Sequence, residues 1–128
     1  MIIMYHILII FFVICLLMSL NVKEPFSAYK KKFLIFSSIG DNSKHPMWIK
    51  DSNKMLFDVA LYYYGDRPEF PYPKDNILIS KKHKGLKFPN FREFYINHKS
   101  IVDSYEYVWI VDDDIEINTR DINMMFVT

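Results

Sequence analysis

The chain has 128 residues, which is enough for one domain at most, and it carries sixteen basic and fifteen acidic side chains. This balance gives no global field that would recruit nucleic acid or an anionic surface, so we expect no nucleic-acid partner. The single cysteine, Cys15, lies in an apolar segment, so the residues after it offer no disulfide and no thiolate metal site. Any metal bound there must be held by oxygen or imidazole ligands.

An apolar segment opens the chain. Residues 1–22 contain no Lys, Arg, Asp or Glu, and at ~1.5 Å per helical residue they are long enough to cross a bilayer core of ~30 Å. We therefore expect a transmembrane or signal-anchor helix and a single-pass membrane protein. A cleaved signal peptide is the main alternative, although neither a basic n-region nor a small-residue cleavage site is clear. A buried core helix is disfavoured because the remaining residues could hardly enclose it.

A basic tether is predicted at residues 23–32, which contain Pro25 and four lysines. These lysines are the nearest positive charges to the apolar segment, and all of them follow it. Because positive residues prefer the cytoplasmic side, they favour a cytoplasmic position for residues 33–128. The side of the membrane nevertheless stays open at this point.

An α/β domain is predicted for residues 33–128. Four apolar runs are predicted as strands, within residues 32–40, 55–67, 76–80 and 105–111. Helices are predicted within 41–54, with Pro46 in the first turn, within 90–104, with Asn90 as the cap, and from Asn118 or Thr119 onward. A proline-rich loop at 68–75 and a basic loop, "KKHKGLKF" at 81–88, complete the domain. This order is typical of a right-handed wound α/β sheet.

A binding site is predicted at the carboxyl ends of the strands, where wound sheets bind their ligands. Three of the four predicted strands end there in polar or acidic residues. These residues are Ser37, Ser38 and Asp41 after the first strand, Gly65 and Asp66 after the second, and Asp112 to Asp114 after the fourth.

The acidic triplet follows the apolar run "YVWIV" directly. In an extended chain Asp112 and Asp114 point the same way and Asp113 points opposite, which forms an oxygen pocket suited to Mg²⁺ or Mn²⁺. The competing interpretation is a solvated loop with helix-capping carboxylates. Three consecutive aspartates are more than capping requires, so we favour the metal site.

Other acidic-loop families do not fit this chain. A calcium loop that begins at Asp112 would need glycine and glutamate where the chain has Ile117 and Asn123. A P-loop ATPase would need the pattern G-x-x-x-x-G-K-[ST], which is absent. Receiver domains and aspartate-nucleophile phosphatases carry such acids on a first strand, whereas here only fourteen residues follow Asp114.

The segment "YVWIVDDDI" resembles the D-x-D element of GT-A-type glycosyltransferases, which use nucleotide-sugar donors. The blocks "FSSIGDNS", "LYYYGDR", "KGLKFPNF" and "VDDDIEINTRDINMMF", in this order, resemble a family of largely uncharacterised glycosyltransferase-like proteins. The resemblance covers about residues 33–126. It implies a GT-A-like, Rossmann-like wound sheet, parallel or mixed, of which this chain holds an incomplete, donor-binding half.

The resemblance also implies roles for single residues. Asp114 would bind Mn²⁺ or Mg²⁺ and bridge it to the donor diphosphate, and Asp112 would contact ribose or sugar hydroxyls or assist the metal. Ser37, Ser38, Asp41 and Asp66 would line the nucleoside pocket. Lys84 and Lys87, in the basic loop near the same edge, are candidates for holding phosphate oxygens, with ordinary solubility as the alternative.

Two functions follow from this interpretation. The first is a membrane-anchored, metal-dependent glycosyltransferase of hexosyltransferase type, or its donor-binding half. Its general base is expected outside this chain, because the acceptor half of such folds follows the D-x-D strand. The second is a catalytically inactive, membrane-tethered interaction module, and an uncovered apolar strand edge favours self-association in either case. The donor sugar, the stereochemistry and the acceptor, whether glycan, lipid or protein, stay open.

Overall fold

A computed structural model describes residues 6–14 and 31–128 of the protein. The chain divides between Lys30 and Lys31 into two units. In the first unit, residues 6–14 are helical (α1) and exposed. No helix within the described residues is both long and apolar enough to cross a membrane. The rest of the predicted anchor and most of the predicted tether lie outside the described residues, so the anchor stays a prediction.

A four-stranded parallel sheet forms the centre of residues 31–128. Its strands are β1 (Phe33–Ile39), β2 (Phe57–Tyr63), β3 (Ile79–Lys82) and β4 (Tyr107–Ile110), in the spatial order β3-β2-β1-β4. The chain therefore adds β2 and β3 on one side of β1 and then crosses to add β4 on the other side. This arrangement confirms the predicted wound α/β sheet and is consistent with a Rossmann-like fold.

Strand β1 is buried along its whole length, as expected for a parallel sheet that is covered on both faces. Ile35 and Ile39 belong to one apolar core, which also contains Trp48 of the first covering helix. Leu34 and Phe36 face the opposite core. Successive side chains of β1 therefore pack into cores on opposite faces of the sheet, and this burial on both faces explains the uninterrupted apolar run.

Short helices cover the two faces. They are α2 (His45–Trp48), a 3₁₀ turn (Ser52–Lys54), α3 (Lys87–Asn97), α4 (Lys99–Val102) and α5 (Thr119–Val127). Pro46 lies in the first turn of α2, as predicted. The Asn118 side chain accepts a hydrogen bond from the Asp121 N–H and caps α5, also as predicted.

Two predicted boundaries are wrong, and both concern the basic segment after β2. The third strand runs from Ile79 to Lys82 instead of 76–80, so Lys81 belongs to the strand and not to a loop. The predicted helix at 90–104 begins instead at Lys87 and is interrupted at His98. Asn90 is therefore a buried residue inside α3 and not its cap.

Candidate functional site

The carboxyl ends of β1 and β4 lie side by side although most of the domain separates them along the chain. The two strands are parallel and in register, with Phe36 opposite Ile110. Because β2 and β3 lie on one side of β1 and β4 on the other, the strand order reverses at this point. Open α/β sheets bind their ligands in the crevice at such a reversal. The acidic triplet begins two residues after β4 and therefore lies at this position.

Asp113 joins the acidic loop to the loop after β1. Its Oδ2 accepts a hydrogen bond from the Gly40 N–H at 2.8 Å, and its backbone carbonyl accepts one from the Lys44 N–H at 2.7 Å. The chain turns at residues 113 and 114, and Asp112 and Asp114 are exposed. Strand alternation was the wrong reason for separating Asp113 from its neighbours, because β4 ends at Ile110. A specific hydrogen bond separates them instead.

Lys87 approaches the acidic loop from the start of α3. Its Nζ lies 3.0 Å from Asp112 Oδ1. The lysine side chain is only 29% exposed, compared with 67% for Lys99 of α4, which pairs with Asp103 just after that helix. Its ammonium also lies 5.0 Å from the centre of the Phe88 ring, within the range of a cation–π contact. Lys87 is therefore held more firmly than an ordinary surface lysine.

Asn90 fixes the loop that leads into α3. This fully buried side chain donates from Nδ2 to Ser38 Oγ at 2.8 Å and to the carbonyls of His83 and Gly85 at 3.0 Å each. Its Oδ1 lies 2.8 Å from His83 Nδ1. Ser38 in turn donates from Oγ to the Gly85 carbonyl at 2.8 Å. A predicted site residue, Ser38, is thus tied to the loop that carries Lys84.

Gly85 is required where the loop passes over Asn90. Its φ is +157°, and a β-carbon there would lie 2.3 Å from Asn90 Oδ1. The amide that it would meet is already engaged in the hydrogen bonds described above, so it has little freedom to move. A side chain at position 85 would therefore disturb the loop.

Asp41 lies in a polar cluster at the end of β2. Its Oδ1 accepts a hydrogen bond from the Tyr63 hydroxyl at 2.7 Å and lies 3.4 Å from Arg67 Nε. Tyr63 Oη also accepts a hydrogen bond from the Arg67 N–H. Burial, followed by the hydrogen bond to Asp41, raises the pKa of Tyr63 above its ordinary value. The Tyr63 hydroxyl is therefore a neutral donor that orients the Asp41 carboxylate.

Tyr64 lies at the same edge, directly after β2. It is 40% exposed, and a β-carbon on Gly40 would lie 2.5 Å from its hydroxyl oxygen. Burial, followed by the charges of Asp113 and Asp41, raises the pKa of Tyr64. Gly40 thus leaves room for an aromatic ring between the two acidic groups.

Asp66 and Ser37 have partners within the protein. Lys84 Nζ donates to Asp66 Oδ1, and this hydrogen bond lowers the pKa of the Asp66 carboxyl. Both side chains of this pair are exposed, so it contributes little to stability. Ser37 is fully buried and donates from Oγ to the Val111 carbonyl at 2.7 Å, which joins β1 to the residue after β4. Their roles toward a nucleoside stay predictions.

A buried histidine supports the loop between β1 and α2. His45 is 1% exposed and is packed edge-on against Tyr72, with ring centres 4.5 Å apart. Its Nδ1 lies 2.7 Å from Ser43 Oγ. Burial lowers the pKa of His45 from 6.5 to about 4, so the ring is neutral at pH 7. The Tyr72 hydroxyl donates to the Gly40 carbonyl at 2.6 Å, which fixes the loop close to Asp113.

The donor set at the acidic loop consists of the two exposed carboxylates, Asp112 and Asp114. No group of three or more acidic, histidine or cysteine side chains in the described ranges is arranged to hold a metal ion. Two carboxylates are what Mg²⁺-type sites use when substrate phosphates and water complete the coordination. The residues therefore fit a divalent cation that is bound together with a diphosphate, and Asp112 and Asp114 would hold it.

A cleft of about 510 Å³ lies elsewhere, between β4 and α5, with Tyr107, Trp109 and Met125 among its lining residues. No acidic or basic side chain of the described residues lines it, in contrast to the charged edge of the sheet.

Comparisons of the chain with protein-family models, with curated proteins and with solved structures found no match. The resemblance to GT-A-type enzymes therefore depends on the motifs alone.

Proposed function

We propose that this protein binds a nucleotide-sugar donor together with Mn²⁺ or Mg²⁺ and serves as a glycosyltransferase of the GT-A type, or as its donor-binding half. The observation that carries the proposal is the position of Asp112 to Asp114. They begin two residues after β4 at the reversal of strand order, beside the polar end of β1. The GT-A-like architecture and the anchor helix predicted for residues 1–22 belong to the same proposal.

In the proposed site, the acidic loop, the start of α3 and the end of β1 have different roles. Asp114 and Asp112 hold the cation, and Lys87 contributes positive charge for phosphate oxygens. A bound divalent cation would supply the Lewis acidity that neutralises charge on the nucleoside-diphosphate leaving group. On the β1 side, Asp41 and Ser38 would be the polar groups nearest the nucleoside. The Tyr63 hydroxyl orients Asp41, and Asn90 and Gly85 hold the Ser38 hydroxyl.

A titration of the full chain in detergent micelles tests this proposal. We expect uridine or guanosine diphosphate plus Mn²⁺ to raise the unfolding temperature, and Asp114→Asn to abolish most of that rise. The same substitution at Asp75, an exposed acid in the loop before β3, should leave the rise intact. If no common nucleoside diphosphate with either cation shifts the wild-type transition, the proposal fails.

The free edge of β4 favours a second candidate, a catalytically inactive interaction module. In the described part of the chain β4 pairs with β1 alone, and Tyr107 at its start is 64% exposed beside the apolar cleft. Exposed apolar edges invite association with another chain. This candidate predicts a folded oligomer whose unfolding temperature does not respond to cation or nucleotide, so the same titration, with sedimentation analysis, separates the two.

A further inference from the structure

Lys87 forms an ion pair with Asp112, one of the two carboxylates proposed to hold the cation. Three carboxylates lie next to one another in sequence at residues 112–114, and Asp113 is engaged with the Gly40 N–H. Asp112 and Asp114 are the two that stay exposed. Lys87 Nζ, at 3.0 Å from Asp112 Oδ1, supplies a positive charge beside them in the protein itself.

The fold fixes the position of Lys87. It is the first residue of α3, and the Asn90 N–H donates to the Leu86 carbonyl at 3.0 Å. The buried Asn90 side chain anchors the same turn to Ser38 on β1. The backbone of Lys87 is therefore held by a network inside the domain, while rotation about the bonds of its side chain can carry the ammonium from Asp112 to another partner.

We propose that the Lys87 ammonium is a counter-ion for Asp112 and exchanges partners when the site binds its ligands. It pairs with Asp112 when no divalent cation is bound, and it pairs with the diphosphate when the cation and the diphosphate are bound. This inference rests on the proposed function and adds an order to it. A cation at Asp112 and Asp114 repels the ammonium from Asp112, and the phosphate oxygens that share the cation attract it. Cation binding and diphosphate binding are thereby coupled through one side chain.

Lys87→Met tests the proposal because it should change the two affinities in opposite directions. Lys87 competes with Mn²⁺ for Asp112, so its removal should tighten Mn²⁺ binding about fivefold, because one exposed unit charge at contact distance changes an affinity by about that factor. Removing a charged hydrogen-bond donor to phosphate should weaken uridine diphosphate and pyrophosphate about tenfold at saturating Mn²⁺. Mn²⁺ alone is followed by the loss of its free-ion electron paramagnetic resonance signal, and the diphosphates by calorimetry.

Two further variants control the measurement on the full chain in detergent. Lys99→Met removes a lysine that pairs with Asp103 on α4, so it changes the net charge equally and should leave both affinities unchanged. Lys87→Arg keeps the charge and should remain close to wild type in both titrations. If the methionine variant fails to fold, a Lys87→Arg variant that loses diphosphate affinity or changes its Mn²⁺ affinity severalfold would overturn the proposal.

The outcomes are distinguishable from a failure of the proposed function. Wild-type protein that binds neither Mn²⁺ nor diphosphate refutes the function itself. Wild-type protein that binds both, with a Lys87→Met variant whose Mn²⁺ affinity is unchanged or weaker, overturns the counter-ion role. Unchanged diphosphate affinity in that variant overturns the transfer. A parallel loss of both affinities would assign Lys87 a purely structural role and would also overturn the proposal.

Discussion

Acidification should destabilise this protein through His45 in particular. The ring is almost completely buried, and its pKa is about 4 in the fold compared with 6.5 in an unfolded chain. Between these two values the unfolded chain binds more protons than the folded one. The free energy of unfolding is therefore fully retained above about pH 6.5 and falls as the pH decreases toward 4.

The magnitude follows from the size of the shift. Each pKa unit corresponds to about 1.4 kcal/mol, so His45 should contribute a loss of about 2 kcal/mol between pH 7 and pH 4.5. Urea unfolding of the wild type and of His45→Gln at several pH values isolates this contribution, because all other titrating groups are common to both. The difference in unfolding free energy between the two proteins should decrease by that amount. Parallel pH profiles would refute the assignment.

The loop network around Asn90 leads to the remaining predictions, both measured as urea unfolding free energies at pH 7. Asn90→Leu should cost about 2–4 kcal/mol, because it removes the donor to Ser38 Oγ and to the partly buried carbonyls of His83 and Gly85, and only the Gly85 carbonyl keeps another donor, Ser38 Oγ. Asn97→Leu, at an exposed position of the same helix, should cost less than about 1 kcal/mol. Equal costs would contradict the network. Gly85→Ala should cost about 1–3 kcal/mol because its β-carbon would collide with the Asn90 amide, and an unchanged midpoint would show that the loop yields.

The sheet was predictable because its central strands depend on local pattern. The run Phe33–Ile39 is apolar at every position that the sheet buries, apart from two serines, and such a run is typical of a parallel strand covered on both faces. The third strand was misplaced because it lies at the edge of the sheet. An edge strand tolerates lysines on its exposed side, so hydrophobicity alone ended it too early.

The location of the candidate site at the carboxyl edge of the sheet was predictable, but the contacts between its side chains were not. The acids at residues 112–114 could be located because a parallel sheet gathers the carboxyl ends of its strands. The roles of Asn90 and Asp113 could not be found, since each depends on partners distant in the chain, such as Ser38 and Gly40. Local capping and alternation rules describe neighbours in sequence and contain no information about these contacts.

The two hydrogen bonds that Asp113 accepts from the Gly40 and Lys44 amides have a thermodynamic consequence. Because the Gly40 and Lys44 amides hold the middle aspartate, hydrogen bonds within the protein fix the shape of the acidic loop. A preorganised loop gives up little conformational entropy when something binds to it, so more of the contact energy remains available as affinity. Asp113 would thus strengthen binding without touching the ligand, by fixing the backbone that carries Asp112 and Asp114.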